Sequence, residues 1–153
     1  KLTMAVGIGI LLAIFISFRQ ILLIWRKKYE NKIIPLSKSD FKLKKQTEEK
    51  FTKKSTNVFQ LKGPLFFGSI ESILDIYNNS PKHDILIIDM KHITMIDLSG
   101  SYALEDLIKR EKAKGIKVFV SNAKPNIKKV LEKLNFIKNI GKDCYNDSII
   151  STL

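Results

Sequence analysis

The chain has 153 residues and a net charge of +12, which is enough length for one domain of ordinary size. A single cysteine, Cys144, excludes an internal disulfide, and the two histidines are not at the spacing of zinc ligands. The positive charge is concentrated in residues 26–56, which carry a surplus of seven basic side chains against three in residues 57–153. This distribution indicates a basic segment beside a membrane and disfavours nucleic-acid binding.

Residues 1–25 predict a transmembrane helix. The stretch 2–18 contains no charged residue, and Arg19 and Trp25 suit the head-group region that would follow it. The basic cluster at 26–28 places the rest of the chain in the cytoplasm by the positive-inside rule. A signal peptide is disfavoured because no small-residue cleavage site follows, and a buried core helix is the other alternative.

Residues 26–56 predict a basic linker. Polar residues dominate this segment, and Pro35 breaks any long helix. Two interpretations fit the lysines: contact with anionic membrane lipid, or a solvated connector.

Residues 57–153 predict a small α/β domain that begins with a hairpin. Val58–Leu61 and Leu65–Phe67 have the pattern of two short strands, and the turn-forming residues 62–64 lie between them. Apolar residues at helical spacing then predict a helix that ends near Asn78.

Two further strand–helix units follow the first helix. The apolar run Ile85–Ile88 is typical of a strand buried on both faces of a parallel sheet. A helix is predicted after residues 97–100, then a strand at 116–120, a helix that starts near Pro125, and a short last helix within 146–153. Strand–helix–strand units imply right-handed crossovers, so we expect a mainly parallel β-sheet with helices packed on it.

The loop Asp97-Leu98-Ser99-Gly100-Ser101 is the candidate functional site. It precedes a helix N-terminus, where free N–H groups and the helix dipole favour an anion. The structural alternative is that Asp97 or Ser99 caps the helix and Gly100 allows tight packing. No phosphate-binding, dinucleotide-binding, zinc-protease or serine-hydrolase motif occurs, so we predict no catalytic residue, no cofactor and no metal.

Other polar side chains are predicted to be structural. Asp84 and Asp89 bracket a strand and have the positions of turn or cap residues. His83 and His92 are expected to be solvated loop residues, and Cys144 is expected to pack in the interior.

Several blocks of the chain resemble the STAS domain of SulP-family anion transporters. The blocks are Val58–Gly68 (VFQLKGPLFFG), Ile87–Met90 (IIDM), Ile96–Gly100 (IDLSG), Ala103-Leu104 and Gly115–Val118 (GIKV). They occur in the family's order, and residues 1–25 are similar to the last membrane helix of these transporters.

The resemblance implies a cytoplasmic STAS domain that supports regulation, dimer assembly and partner binding. It also implies a membrane domain that carries sulfate, bicarbonate, chloride or dicarboxylates. In the related anti-sigma-factor antagonists a Ser or Thr in this loop is phosphorylated, but here Leu98 holds the position and cannot accept phosphate. Because the chain begins with Lys1 rather than Met, we expect it to be part of a longer protein of the inner or plasma membrane.

The leading hypothesis is therefore a non-enzymatic regulatory and assembly domain with the last membrane span of a secondary anion transporter. Its expected partners are its own membrane domain, a second copy in a homodimer, a cytosolic protein, and membrane lipid at the basic linker. The alternative is a single-pass membrane-tethered STAS signalling module of the anti-sigma-factor-antagonist type. A nucleotide-binding protein that uses Ser99 and Gly100 ranks last, because no motif places Lys or Arg to hold phosphates.

Overall fold

The computed structural model describes residues 1–28, 31–36 and 55–145. Its contacts divide the chain into two compact units, residues 1–30 and residues 31–153. The first unit is helix α1, Leu2–Lys28. Within it, Leu2–Ile21 has a mean hydropathy of 2.1, is long enough to cross a membrane, and is not buried within the structure.

The second unit is built on a four-stranded sheet in the order β1-β2-β3-β4. Its strands are β1 (Lys32–Pro35), β2 (Thr56–Leu65), β3 (Ile85–Ile96) and β4 (Lys117–Ser121). β1 pairs with β2 in the antiparallel sense, whereas the β2–β3 and β3–β4 pairs are parallel. The prediction of a mainly parallel sheet is confirmed.

The hairpin predicted between residues 58 and 67 is wrong, because one strand, β2, runs through the expected turn. The register between β2 and β3 shifts between Gln60 and Lys62 and again between Gly63 and Pro64. These irregularities accommodate Gly63, whose φ is +83°, without reversing the chain. β1 does not extend beside Pro64, so the missing N–H of the proline interrupts no bond to that strand.

The antiparallel partner of β2 lies instead in the segment predicted to be a linker. Residues 32–35 form β1, and Ile33 and Ile34 pair with Phe59 and Val58. Linker residues 37–54 and the helix predicted within 146–153 lie outside the described residues.

In the described part of the second unit, two helices lie between strands and three helical segments follow β4. They are α2 (Phe67–Asn78), α3 (Leu98–Ala113), α4 (Pro125–Lys133), α5 (Phe136–Ile140) and a 3-10 turn at Lys142–Cys144. α2 begins at Phe67, which the sequence pattern placed in a strand, and the N–H of Phe66 donates to Ser69 Oγ at 3.0 Å. Pro125 is the first residue of α4, as predicted. α5 was not predicted, and Asn135, with a φ of +57°, separates it from α4.

The sheet is buried on both faces. The larger apolar cluster includes Phe59, Ile88 and Val120 from the sheet and buried side chains from α2, α3, α4 and α5. The smaller cluster contains Val58 and Ile87, which point to the opposite face. Burial on both faces is why the central strand β3 begins as a continuous apolar run.

β2 and β3 extend beyond their neighbours and carry the candidate site at their ends. β1 pairs with β2 only as far as Gln60, and β4 pairs with β3 only as far as Asp89. The β2–β3 pairing continues to Leu65 and Ile96. The loop predicted to be functional follows Ile96 directly.

Candidate functional site

Asp97 joins the end of β3 to α3 and fixes both. Its Oδ1 accepts a hydrogen bond from the N–H of Gly100 at 2.7 Å, and its carbonyl accepts from the N–H of Ser101 at 2.9 Å. Its own N–H donates to the carbonyl of Leu65 at 3.1 Å. Of the two capping residues considered from the sequence, Asp97 is therefore the helix cap, and it also ties the loop to β2.

Gly100 allows α3 to start directly against the end of β2. A Cβ atom added at this position would lie 2.4 Å from the carbonyl oxygen of Leu65, which is backbone and cannot move aside. A side chain at this position would therefore force the helix away from the strand.

The five loop residues divide between the surface and the interior. Leu98 and Ser99 are exposed, whereas Gly100 and Ser101 are buried. Within the described part of the chain the Ser101 hydroxyl has no hydrogen-bond partner, and its side chain is fully enclosed. Ser99 is thus the one accessible hydroxyl of this loop.

Four exposed apolar side chains lie on the elements that meet at the loop, and we term them the apolar patch. Leu98 is 49% exposed, Phe67 80%, Met95 50% and Tyr102 56%, and outside α1 these are the only large apolar side chains exposed among the described residues. Met95 pairs with Pro64 near the end of the β2–β3 pair, and Leu98 and Tyr102 lie one helical turn apart. Exposed apolar side chains at one end of a strand pair favour an interaction site there.

This apolar patch was not predicted, because its members come from separate elements. Phe67 falls in a predicted strand and Met95 comes just before the loop, and neither has a local pattern that indicates exposure. The one signal was Leu98 itself, an apolar residue at the first position of a helix where polar residues are usual.

A polar groove lies at the end of the strands opposite the loop. Its volume is about 600 Å³, and its lining includes Tyr77, His83, Asp84, Glu111 and Lys114. His83 is half-buried, with Nε2 3.1 Å from the Tyr77 hydroxyl and Nδ1 2.9 Å from the carbonyl of Pro81. His83 therefore lies in a loop, as expected, but it is held in a hydrogen-bonded network and is only partly solvated.

Glu111 is the buried charge of this groove. Its Oε1 lies 2.9 Å from Lys114 Nζ and 3.5 Å from Arg110 Nε. Burial by itself would raise the pKa of Glu111, but the hydrogen bonds from Lys114 and Tyr77 and the two positive charges lower it below its ordinary value. Burial, followed by the bond to Glu111, raises the pKa of Tyr77 above the usual range, so the phenol remains protonated.

The structural roles predicted for Asp89, His92 and Cys144 are confirmed only in part. Asp89 is a buried residue within β3, not a turn residue, and its Oδ1 accepts from Asn122 Nδ2 at 2.9 Å. His92 is exposed as predicted, but it lies in β3 and not in a loop. Cys144 is buried, as predicted, and Lys112 Nζ lies 3.3 Å from its sulfur.

Among the residues that the structure describes, no cluster of His, Cys, Asp or Glu has the arrangement of a metal site.

The STAS domain family pattern matches residues 49–149. The chain belongs to the STAS family. It is 26% identical to the bicarbonate transporter BicA of Synechocystis over 94% of this chain and 26% of that protein. It is 30% identical to the putative sulfate transporter YvdB of Bacillus subtilis over 61% of this chain and 18% of that protein.

A solved structure has the same fold over most of the chain. Murine Slc26a9, an anion transporter captured facing inward, matches 90% of this chain and 24% of its own length with a TM-score of 0.64 and 17% identity. At that identity the match shows the fold alone. The resemblance to the SulP transporters is confirmed, and this STAS chain spans about a quarter of the length of BicA.

Substitutions in the loop test how it is held. We expect Asp97→Ala to lower the free energy of unfolding by about 1 kcal/mol through loss of the cap. Gly100→Ala should lower it by roughly 1–3 kcal/mol, because the new methyl group collides with the Leu65 carbonyl. Chemical denaturation followed by circular dichroism measures both. Ser99→Ala is the matched control and should have almost no effect; equal stability of all three variants would contradict this geometry.

Glu111 makes stability depend on pH. Because its folded pKa is lowered, its contribution is present above the ordinary value of 4.5 and is lost as the pH falls through the folded pKa. Glu111→Gln should therefore lower the free energy of unfolding by roughly 1–3 kcal/mol at neutral pH and by progressively less in acid. Denaturation across a pH series measures this. Asp106→Asn, at an exposed position on the same helix, should show no such trend, and a constant deficit in Glu111→Gln would rule out the ionic contribution.

Proposed function

We propose that this chain is the last membrane span and the STAS domain of a SulP-type secondary anion transporter. One observation carries the proposal: the similarity to BicA runs over 94% of the chain and so includes the apolar helix together with the STAS domain. The span would lie in the inner or plasma membrane, and residues 26–153 would lie in the cytoplasm. The transported anion would belong to the sulfate, bicarbonate or dicarboxylate class, as the names of the relatives suggest.

In this proposal the STAS domain regulates and assembles the transporter and catalyses no reaction. The substrate site belongs to upstream membrane helices. The apolar patch of Phe67, Met95, Leu98 and Tyr102 supports a docking role, because it includes the position at which, by the resemblance, the anti-sigma-factor antagonists carry a phosphorylated Ser or Thr. An exposed leucine replaces a phosphate acceptor there, so docking would be constitutive. Its partner would be the membrane domain, a second copy or a cytosolic protein.

The size of the native protein tests the transporter proposal. An antibody against the STAS domain should detect, in detergent extracts of native membranes, a species several times larger than 17.5 kDa. That species, reconstituted in vesicles, should take up labelled bicarbonate, sulfate or a dicarboxylate. A native species of 17.5 kDa would contradict the proposal and would favour the single-pass signalling module.

Leu98→Asp tests the docking role. In the full-length protein this substitution should lower anion uptake or weaken dimer assembly, because it places a charge in the apolar patch. Uptake assays and cross-linking in membranes measure the two effects, and circular dichroism checks folding. Thr94→Asp is the matched control, an exposed residue of β3 outside the apolar patch, and it should leave both unchanged. Equal behaviour of the two variants would exclude Leu98 from docking.

A further inference from the structure

Charge is distributed unequally along the STAS domain. Residues 55–108 contain three basic and seven acidic side chains, whereas residues 109–145 contain eleven basic and three acidic ones. Asymmetry of this kind between two halves of a domain is typical of proteins that bind a membrane or nucleic acid. The basic half comprises the last turns of α3, all of β4, α4 and α5, and the 3-10 turn.

The basic side chains of this half lie on the outer side of the helical layer. α3, α4 and α5 each bury apolar side chains against the same face of the sheet, so their remaining sides face outward. Five exposed lysines on these helices and the following turn define what we term the basic face: Lys109, Lys129, Lys133, Lys138 and Lys142.

Side-chain contacts hold α3 and α5 together beneath this face. The Glu105 carboxylate lies 3.7 Å from Lys109 Nζ and accepts hydrogen bonds from Asn139 Nδ2 at 3.1 Å. Lys112 Nζ donates to the carbonyl of Ile140 at 3.1 Å. Lys109 on α3 is thereby kept beside the helix that carries Lys138.

α4 is tied to the same region through the 3-10 turn. Lys128 Nζ lies 5.4 Å from the centre of the Tyr145 ring, and Tyr145 forms a bridge with Val120 of β4. Lys142 begins the turn that leads to Tyr145. Lys112 of α3, Lys128 of α4 and Lys142 itself therefore lie at this one turn.

Few negative charges offset this face. The buried carboxylates of Glu105 and Glu111 are paired with Lys109 and Lys114. The exposed acidic residues on these elements are Asp106, Glu132 and Asp143. Among the described residues from 109 to 145, no large apolar or aromatic side chain is exposed. Binding here would be electrostatic, without the aromatic platforms on which single-stranded nucleic acids stack.

We propose that the basic face binds the anionic surface of the lipid bilayer. The chain carries a candidate membrane span, and a domain joined to a span that is inserted in a bilayer has a high effective concentration at the lipid surface. A weak electrostatic contact is then sufficient for occupancy, and several lysines on one face provide it. This inference goes beyond the proposed function, since it requires the span but not transport.

Lysine labelling of the full chain in lipid nanodiscs tests the contact. The amine-acylating reagent is applied in neutral phosphatidylcholine discs and in discs that also contain anionic phosphatidylglycerol, and mass spectrometry reads each lysine. Labelling of the basic face should fall roughly fivefold in the anionic discs. High salt should restore it, because screening shortens the range of the attraction. Lys62, Lys82 and Lys91, elsewhere in the domain, should label equally in both discs.

Charge-reversal variants test whether protection of the lysines depends on the basic face itself. Lys138→Glu with Lys142→Glu should restore the labelling of Lys129 and Lys133 in anionic discs. Lys82→Glu with Lys91→Glu, the matched control, should leave their protection intact, and circular dichroism checks that both variants fold.

Four results would overturn the proposal. The first is equal labelling of the basic face in the two discs, and the second is equal protection of Lys62, Lys82 and Lys91. The third is protection that appears only when RNA or an acidic protein is added, because the occupant is then not lipid. A chain that fails to insert into the discs would also overturn it, since the tether would be absent.

Discussion

The contact between the end of β2 and the first turn of α3 holds the candidate loop in place. The Leu65 carbonyl accepts the N–H of Asp97 at 3.1 Å, and it leaves no room for a side chain at Gly100. Asp97 then caps the helix that starts against this carbonyl. One backbone oxygen thus sets where β3 ends, where α3 begins and which loop residues reach the surface.

That constraint decides which loop residues form part of the surface. With Gly100 and Ser101 held inside, the exposed residues of the loop are Leu98 and Ser99. Leu98 joins Phe67 and Tyr102 in an apolar patch at the end of the β2–β3 pair. Exposed apolar side chains on a rigid strand end suit contact with another protein.

Three surfaces of the domain differ in chemistry. The apolar patch lies at the ends of β2 and β3, the polar groove of His83 and Glu111 lies at the opposite end of the strands, and lysines cover the outer side of the helices. The buried charge of the groove, Glu111, is paired with Lys114 and Arg110, whose side chains are largely exposed. The apolar patch and the basic face are the two surfaces for which we propose partners.

The amino-acid sequence by itself determined the apolar first helix and the parallel core, and it narrowed the helix cap to Asp97 or Ser99. Each depends on neighbours in the chain: an uncharged apolar run, the continuous run Ile85–Ile88, and polar residues before a helical pattern. The tertiary structure alone decided that β2 passes through Gly63 and Pro64, because a parallel partner offers hydrogen bonds that a local turn signal does not anticipate. It also decided which polar residues are buried, such as Asp89 in β3, and which apolar residues meet around Leu98, since both depend on elements that are distant in the chain.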